Sequence, residues 1–367
     1  MRVMTVRLPA RWRPLLRRIW PYLKFAVGLG LAAVALWAVT ARRGELAGIS
    51  EYLAGVRPWW IAVAAAAEFG SLVSFATLQR RLLETGGVSL SLRPLTCIVL
   101  TSTVITNSLP AGGVIATIFT YRQFRRRGAD EAVAGWSLAA TFVAASVSLS
   151  LVAAAGVAIA GAEGAGLDLV GVTIGVLVIA LLIGIVFLKR GPLNWVVTNA
   201  LRFTERVFRW PRGKSADHAE RVVARLTHVT LSPGGAVAAL GWGLANWLLD
   251  CGCLALSFLA VGVGVPWKGL LLAYGAGQLA ANLPITPGGL GVVEGSLTIA
   301  LVAFGGAQVS TVAAVLLYRI LSFWIQLPIG WGMWTYFAVT ARTRVPEFIE
   351  GTTEPDAAPE APREAAR

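Results

Sequence analysis

Long apolar runs separated by clusters of basic residues limit what this chain can fold into more than any other feature. Backbone groups inside a bilayer must pair within the protein, so a run long enough to cross it folds as a helix. With 56% hydrophobic residues, the chain has enough apolar sequence for many crossings. About six runs are long enough for an unbroken crossing helix, namely 22–40, 59–78, 132–160, 169–188, 235–262 and 311–339. The pattern predicts an all-α, polytopic membrane protein.

Two further apolar runs, 94–121 and 270–304, are interrupted near their middles. Proline lacks a backbone donor and glycine weakens helical bias, so a regular helix does not continue through these positions. We therefore predict two broken re-entrant hairpins, each made of two half-helices. The interrupting residues are Asn107, Pro110, Gly112 and Gly113 in the first run, and Asn282, Pro284, Pro287, Gly288, Gly289 and Gly291 in the second.

The charge distribution predicts how the two broken runs are related. Arg122, Arg125, Arg126 and Arg127 follow the first run, and a simple crossing would place them outside, against the positive-inside bias. A hairpin that enters and leaves from the cytoplasmic face removes this conflict. The units 59–160 and 235–340 would then be related by inversion, as in many transporters.

The remaining parts of the chain are basic or polar. We predict a basic cytoplasmic N-terminus at 1–21, a membrane domain at 22–341 and a disordered cytoplasmic tail at 342–367. The loop 189–232 interleaves arginines with aromatic residues, which suits contact with an anionic cytoplasmic leaflet. Because the basic residues flank apolar runs, the net charge of +13 does not indicate nucleic-acid binding.

Ionisable residues inside apolar runs are candidates for function, because they are rare there. Glu68, Asp250, Glu294 and Arg319 are the most deeply placed. An internal ion pair, such as Glu294 with Arg319, would only lock helices together, whereas a polar cavity would let these groups meet a substrate. Half-helices beginning near Gly113 and Gly289 would attract an anion such as a lipid phosphate.

Asn107 and Asn282 could play either of two roles at the breaks: each could cap a half-helix or contact a lipid head group. No motif indicates a catalytic residue, a cofactor site or a metal site. The three cysteines lie in apolar runs, and Gly289-x-Gly291 lacks the strand that a dinucleotide-binding turn requires. We therefore expect no enzyme activity and no cofactor.

The motif Pro287-Gly-Gly-Leu-Gly-Val-Val-Glu294, preceded by Asn282-Leu-Pro and followed by Leu317-Tyr-Arg319, resembles the lysylphosphatidylglycerol synthase transmembrane, or flippase-like, family. The resemblance extends over about 24–341. It implies a membrane module that moves lipids between leaflets and that some members fuse to a cytoplasmic aminoacyl transferase. Nothing after Val339 resembles that transferase, so the expectation is a stand-alone module.

The predicted function is a lipid translocase-like protein of the bacterial cytoplasmic membrane, with both termini cytoplasmic. Its substrate would be a phospholipid or another lipid-linked head group bound at the broken helices. Two alternatives stay open: an intramembrane enzyme or enzyme subunit acting on polyprenyl-phosphate-linked sugars, and a non-transporting scaffold. A homo-oligomer and a separate synthase partner are both compatible with the sequence.

Overall fold

The computed structural model describes residues 55–109, 112–161, 231–281 and 287–342, and every regular element in these ranges is helical. The predicted all-helical fold is confirmed for them. The helices are α1 (Pro58–Thr85), α2 (Leu92–Ser108), α3 (Gly112–Arg125), α4 (Glu131–Gly161), α5 (Pro233–Val261), α6 (Trp267–Ala281), α7 (Val292–Ala303), α8 (Gln308–Arg319) and α9 (Gln326–Arg342), with a short 3-10 turn at Pro287–Gly289 and a π-helical segment at Ile320–Trp324.

Four helical stretches are long and apolar enough to cross a membrane: α1, α4, α5 and the continuous stretch Gln308–Val339. They coincide with four of the predicted crossings. The largest difference is at the end of α1, which continues through polar residues to Thr85. In this extension Arg80 pairs with Glu84 one turn later at 2.8 Å, a contact that supports the helix locally. The predicted crossings 22–40 and 169–188, the segment 1–21, the loop 189–232 and the tail beyond Arg342 lie outside the described residues.

The long helices are joined by polar contacts as well as apolar ones. In the contact between α1 and α5, Ser71 Oγ donates to Asn246 Oδ1 at 3.1 Å. Between α5 and α4, Trp247 Nε1 donates to the carbonyl of Ala145 at 2.9 Å. Such bonds matter in a membrane, where lipid cannot partner the same groups.

Close helix packing between α4 and α6 depends on a small residue. A β-carbon at Gly156 would lie 2.5 Å from the backbone nitrogen of Leu272. Only glycine allows the two backbones to approach so closely, a common device where helices associate in membranes. The second half of the fold is therefore held tightly against α4.

The apolar core has two main parts. The larger part lies among α1, α4, α5, α6, α7 and α8, and contains the fully buried Tyr274, Phe258 and Tyr318. The other part lies among α1, α2, α3, α4 and α9, around Phe124 and Phe337. The helices around both chain breaks are thus anchored in packed side chains, and this packing can hold the breaks in fixed positions.

Both predicted chain breaks are present. The helix α2 ends at Ser108 and the next residue, Leu109, is extended (φ −113°, ψ 142°). The chain then reverses into α3, and a β-carbon at Gly112 would lie 2.5 Å from the carbonyl oxygen of Thr106. The second break separates α6 from α7.

The two halves have the same order of helices. In each half, a long helix is followed by two short helices around a break and then by another long helical stretch. Each break therefore occupies the same place in the order of its own half. The inversion of the two halves across a membrane stays a prediction.

Candidate functional site

The second break ends in a turn that only glycine adopts readily. Gly288 (φ 62°), Gly289 (φ 66°) and Gly291 (φ 82°) all have left-handed backbone conformations, in which a β-carbon is strained. The chain needs this turn to reverse direction before α7. The helix consequently begins at Val292, three residues beyond the predicted start near Gly289.

Glu294 lies in the first turn of α7 and uses both of its carboxylate oxygens. Its Oε2 accepts a hydrogen bond from the backbone N–H of Gly291 at 2.7 Å. Its Oε1 accepts one from Arg319 Nε, also at 2.7 Å. The carboxylate therefore caps the half-helix and pairs with a cation at the same time, and its charge suits the helix N-terminus.

Arg319 lies at the end of α8, with 9% of its side chain exposed. Besides its bond to Glu294, its Nη2 donates to the carbonyl of Gly288 at 3.0 Å. Its guanidinium group lies over the ring of Phe323, 4.4 Å from the centroid, a distance at which a cation and an aromatic face attract. Arg319 therefore contacts the second break at two points: the turn, through Gly288, and α7, through Glu294.

The Phe323 ring reaches Arg319 from an irregular part of the same stretch. The segment Ile320–Trp324 is π-helical, and the N–H of Ile325 donates to the carbonyl of Ile320 at 2.9 Å. Wide turns of this kind are rare and are frequent at functional sites. This one lies directly beside the guanidinium group.

The two chain breaks meet. A β-carbon at Gly288 would lie 2.9 Å from the carbonyl oxygen of Asn107, in the last turn of α2. Near the same point, Trp331 Nε1 of α9 donates to Ser108 Oγ at 3.3 Å. The first break is therefore held between the second break and the final helix.

Asp250 belongs to a neighbouring cluster of polar residues. Its Oδ2 accepts hydrogen bonds from Tyr274 Oη at 2.7 Å and from Gln278 Nε2 at 3.2 Å. The same Gln278 nitrogen lies 3.4 Å from Tyr318 Oη, and Tyr318 precedes Arg319 in the chain. These contacts connect Asp250 of α5 with the end of α8.

Glu68 of α1 completes this cluster. Its Oε1 accepts a hydrogen bond from Gln326 Nε2 of α9 at 2.6 Å, and its carboxyl group is within hydrogen-bonding reach of Asp250. Only 8% of Glu68 and 5% of Gln326 are exposed. A buried carboxyl group requires such partners, since isolated charges are costly in an apolar environment.

The structure brings together part of the predicted site. Gly288, Gly291, Glu294 and Arg319 are in contact around the second break, Gly289 belongs to the same turn, and the Asn107 carbonyl joins them from the first. Asn107 lies inside α2, and the Leu109 N–H bonds to the carbonyl of Ile105. Asp250 lies in the adjoining cluster.

The structure places three of the remaining predicted site residues at the breaks. Gly112 lies in the first break, where it packs against α2, and Gly113 follows it at a position with no heavy atom close to where a β-carbon would be. Pro287 is in the turn of the second break. Pro110, Asn282 and Pro284 lie outside the described residues.

Sequence reasoning missed several members of the polar clusters. Glu68 is one of the deeply placed ionisable residues of the sequence, but the predicted site does not include it. Gln278 and Gln326 could have been recognised as candidates for the polar cluster, because each is a polar residue in an otherwise apolar stretch. Nothing in the sequence indicated the contribution of Tyr274 or Tyr318, since tyrosine is ordinary in such helices. Phe323 lies four residues after Arg319, a spacing that places two side chains side by side on a helix.

Metal ligands are not concentrated anywhere in the described ranges, where no group of three His, Cys, Asp or Glu is close enough together to hold a metal ion. Cys97, Cys251 and Cys253 are free thiols, and the latter two are buried. The arrangement at the breaks instead combines a guanidinium group, a carboxylate and a helix N-terminus. This combination can bind an anion and exchange partners with it.

Comparisons with known proteins agree with a membrane role. The chain is 32% identical over 87 residues to one UPF0104 membrane protein of Methanothermobacter thermautotrophicus, which covers 24% of this chain and 26% of the relative. It is 42% identical over 88 residues to a second UPF0104 membrane protein of that organism, covering 24% and 25%. The chain thus matches about a quarter of the length of these curated relatives.

A much longer match identifies the family. The family described as the lysylphosphatidylglycerol synthase TM region matches residues 25–330, which include both chain breaks and all the residues of the polar clusters. Together with the four apolar helical stretches, this shows an integral membrane protein with a connection to membrane lipids. The chain belongs to the lysylphosphatidylglycerol synthase TM region family.

Proposed function

We propose that the protein binds the phosphate of a lipid head group where its two chain breaks meet, and that it assists transfer of that lipid between the leaflets of the bacterial cytoplasmic membrane. The observation that carries this proposal is the position of Arg319. Its guanidinium group lies almost buried between Glu294 and the Gly288 carbonyl, at the turn that also contacts Asn107.

The chemistry at this point suits phosphate. A guanidinium group binds phosphate through parallel N–H bonds, and its charge persists in an apolar environment. The first turn of α7 adds backbone N–H groups besides that of Gly291, which Glu294 caps, and a partial positive charge that also favours an anion. A lipid phosphate would thus meet two complementary features whose positions the fold already fixes.

Glu294 gives Arg319 a partner that a phosphate can replace. The two contacts that Arg319 makes to described residues through Nε and Nη2 use two of the five N–H donors that a guanidinium carries. The Glu294 side chain is 21% exposed, so the pair is open at the carboxylate side. Its second bond, to Gly291, would keep the carboxylate in place while Arg319 bonds to phosphate.

The competing function is a scaffold in which this ion pair only locks α7 to α8. The same short contact of 2.7 Å favours it, because a buried ion pair needs no substrate to be retained. Under this alternative, loss of both charges together leaves function intact wherever the protein folds. Under the proposed function, it abolishes transfer.

Leaflet exchange of fluorescent phospholipids in proteoliposomes tests the proposal. We expect Arg319→Gln to slow exchange by about tenfold to a hundredfold, because a charge-assisted bond to phosphate is worth about 1.5–3 kcal/mol. The matched control is Arg80→Gln, which removes a guanidinium from a partly exposed pair with Glu84 and should leave exchange unchanged.

Two results would count against the proposal. One is normal exchange by the double variant Glu294→Gln with Arg319→Gln, which would show that this ion pair only locks α7 to α8 and that the lipid does not depend on it. The other is exchange by the purified wild-type protein no faster than in protein-free liposomes for phosphatidylglycerol, its aminoacylated form and a polyprenyl phosphate. Circular dichroism and gel filtration of each variant would separate loss of function from loss of fold.

A further inference from the structure

Two buried carboxyl groups from different long helices face one another next to the proposed phosphate site. Glu68 of α1 and Asp250 of α5 are within hydrogen-bonding reach of each other. Two negative charges at such a distance repel strongly where water is excluded. The lipid phosphate of the proposed function does not account for this pair, since Arg319 and α7 already supply the features that bind it.

The hydrogen bonds of the pair leave specific oxygen atoms without a donor. Asp250 Oδ2 accepts from Tyr274 and Gln278, and Glu68 Oε1 accepts from Gln326. The second oxygen of each carboxyl, Asp250 Oδ1 and Glu68 Oε2, is fully buried and accepts no hydrogen bond from the described residues. Gln326 Oε1 is buried in the same way. Buried acceptors without a donor are uncommon in folded proteins and costly.

We infer that Glu68 and Asp250 form a proton-binding site that holds one shared proton, and that this proton crosses the membrane together with the lipid. One proton bound by the pair makes one carboxyl group a hydrogen-bond donor to the other, and it leaves the pair with a single negative charge. The transport part of this inference rests on the proposed function, whereas the proton site stands on the geometry of the pair.

The surroundings of the pair allow one proton to be held and released. The titratable or charged groups that face it from the described helices are Cys251 and Cys253 of α5, Tyr274 of α6, and Tyr318 and Arg319 of α8. Phenols and buried thiols do not ionise readily in an apolar environment, so the carboxyl pair is the part that exchanges a proton. Arg319 is the one cation in this group.

Arg319 connects the proton to the phosphate. It interacts electrostatically with Asp250, and Tyr318, the residue before it, is joined to Asp250 through Gln278. When the pair releases its proton, a second negative charge appears beside Arg319 and disfavours an anion there. When the pair is protonated, the anion is favoured, so the phosphate and the proton bind together.

Infrared spectroscopy of the purified wild-type protein tests the proton site without any lipid assay. We expect a carboxylic acid carbonyl band that shifts in heavy water and is absent in Glu68→Gln and in Asp250→Asn. The matched control is Glu84→Gln, which changes a partly exposed glutamate of the same helix, paired with Arg80, and should leave the band unaltered. A wild-type spectrum without such a band, or a band lost only on adding sodium ions, would overturn the site.

Proteoliposomes with an imposed pH gradient test the coupling. One proton per lipid should shift the steady-state distribution of an anionic phospholipid towards the alkaline side by about tenfold per pH unit, and Glu68→Gln should abolish this shift. Exchange that ignores the gradient would overturn the coupling while leaving lipid transfer intact. Conversely, an infrared band in a protein that transfers no lipid would refute the proposed function and preserve the proton site.

Discussion

Asn107 and Gly288 approach each other through their backbones: a β-carbon at Gly288 would lie 2.9 Å from the Asn107 carbonyl oxygen. The two residues belong to different halves of the chain and to different breaks. Because the contact involves backbone atoms, the breaks form one structural unit. A displacement of one break would therefore move the backbone of the other.

This contact makes Gly288 sensitive to the smallest substitution. We expect Gly288→Ala to lower the free energy of unfolding by about 1–3 kcal/mol, because a β-carbon is strained at φ 62° and also meets the Phe323 ring. The measurement is reversible unfolding in mixed micelles. The control is Gly252→Ala inside α5, where no heavy atom lies within 4 Å of the added β-carbon; an equal loss in both variants would contradict the prediction.

The pairing of Glu294 with Arg319 can be measured by a double-mutant cycle. Glu294→Gln should cost about 2–4 kcal/mol, between the values for exposed and buried pairs, because it leaves Arg319 without its anion. Glutamine still offers an oxygen to the Gly291 N–H, so the helix cap survives. Adding Arg319→Gln should restore part of the loss, and purely additive losses would show that the two charges are independent.

Phe323 is expected to stabilise the Arg319 guanidinium through its ring. Phe323→Leu keeps an apolar side chain of similar size but removes the aromatic face, and it should cost about 0.5–2 kcal/mol together with a slower lipid exchange. Phe142→Leu, on an exposed position of α4 where 66% of the residue is accessible, serves as the control. Equal unfolding free energies for the two variants would contradict a role for the ring.

The contact between α4 and α6 depends on Gly156 and offers a comparison within one helix. Gly156→Ala would place a β-carbon 2.5 Å from the Leu272 backbone nitrogen and should destabilise the protein by about 1–3 kcal/mol. Gly135→Ala in the same helix meets no atom within 4 Å and should stabilise it by about 0.5–1 kcal/mol. Unfolding of both variants under the same conditions tests the difference, and the same sign for both would refute it.

The long helices and the two breaks could be predicted because their causes are local. Apolar length determines which segments can cross a bilayer, and Pro and Gly mark where a helix stops. The pairing of Glu294 with Arg319 was also among the predicted alternatives, since a buried carboxylate requires a cation and few were available. The observed 2.7 Å contact confirms the pairing and leaves its use by a substrate to experiment.

The polar cluster around Asp250 and Glu68 could not be predicted, because its contacts depend on packing between distant parts of the chain. Glu68 and Gln326 are separated by 258 positions, and neither position carries a sign of the other. Tyr274 becomes a partner of Asp250 only because α6 lies against α5 and the hydroxyl points inward.

The π-helical segment Ile320–Trp324 also determines the directions in which Arg319 and Gln326 leave their helical stretch. Arg319 and Gln326 are one heptad apart, a spacing that places two side chains on the same stripe of a regular α-helix. The extra residue in the wide turn rotates the later part of the stretch by roughly 100°. A single membrane-crossing stretch thereby directs Arg319 towards Glu294 in α7 and Gln326 towards Glu68 in α1. The wide turn sets the angle about the helix axis between these two side chains, and so between the cation and the carboxyl pair.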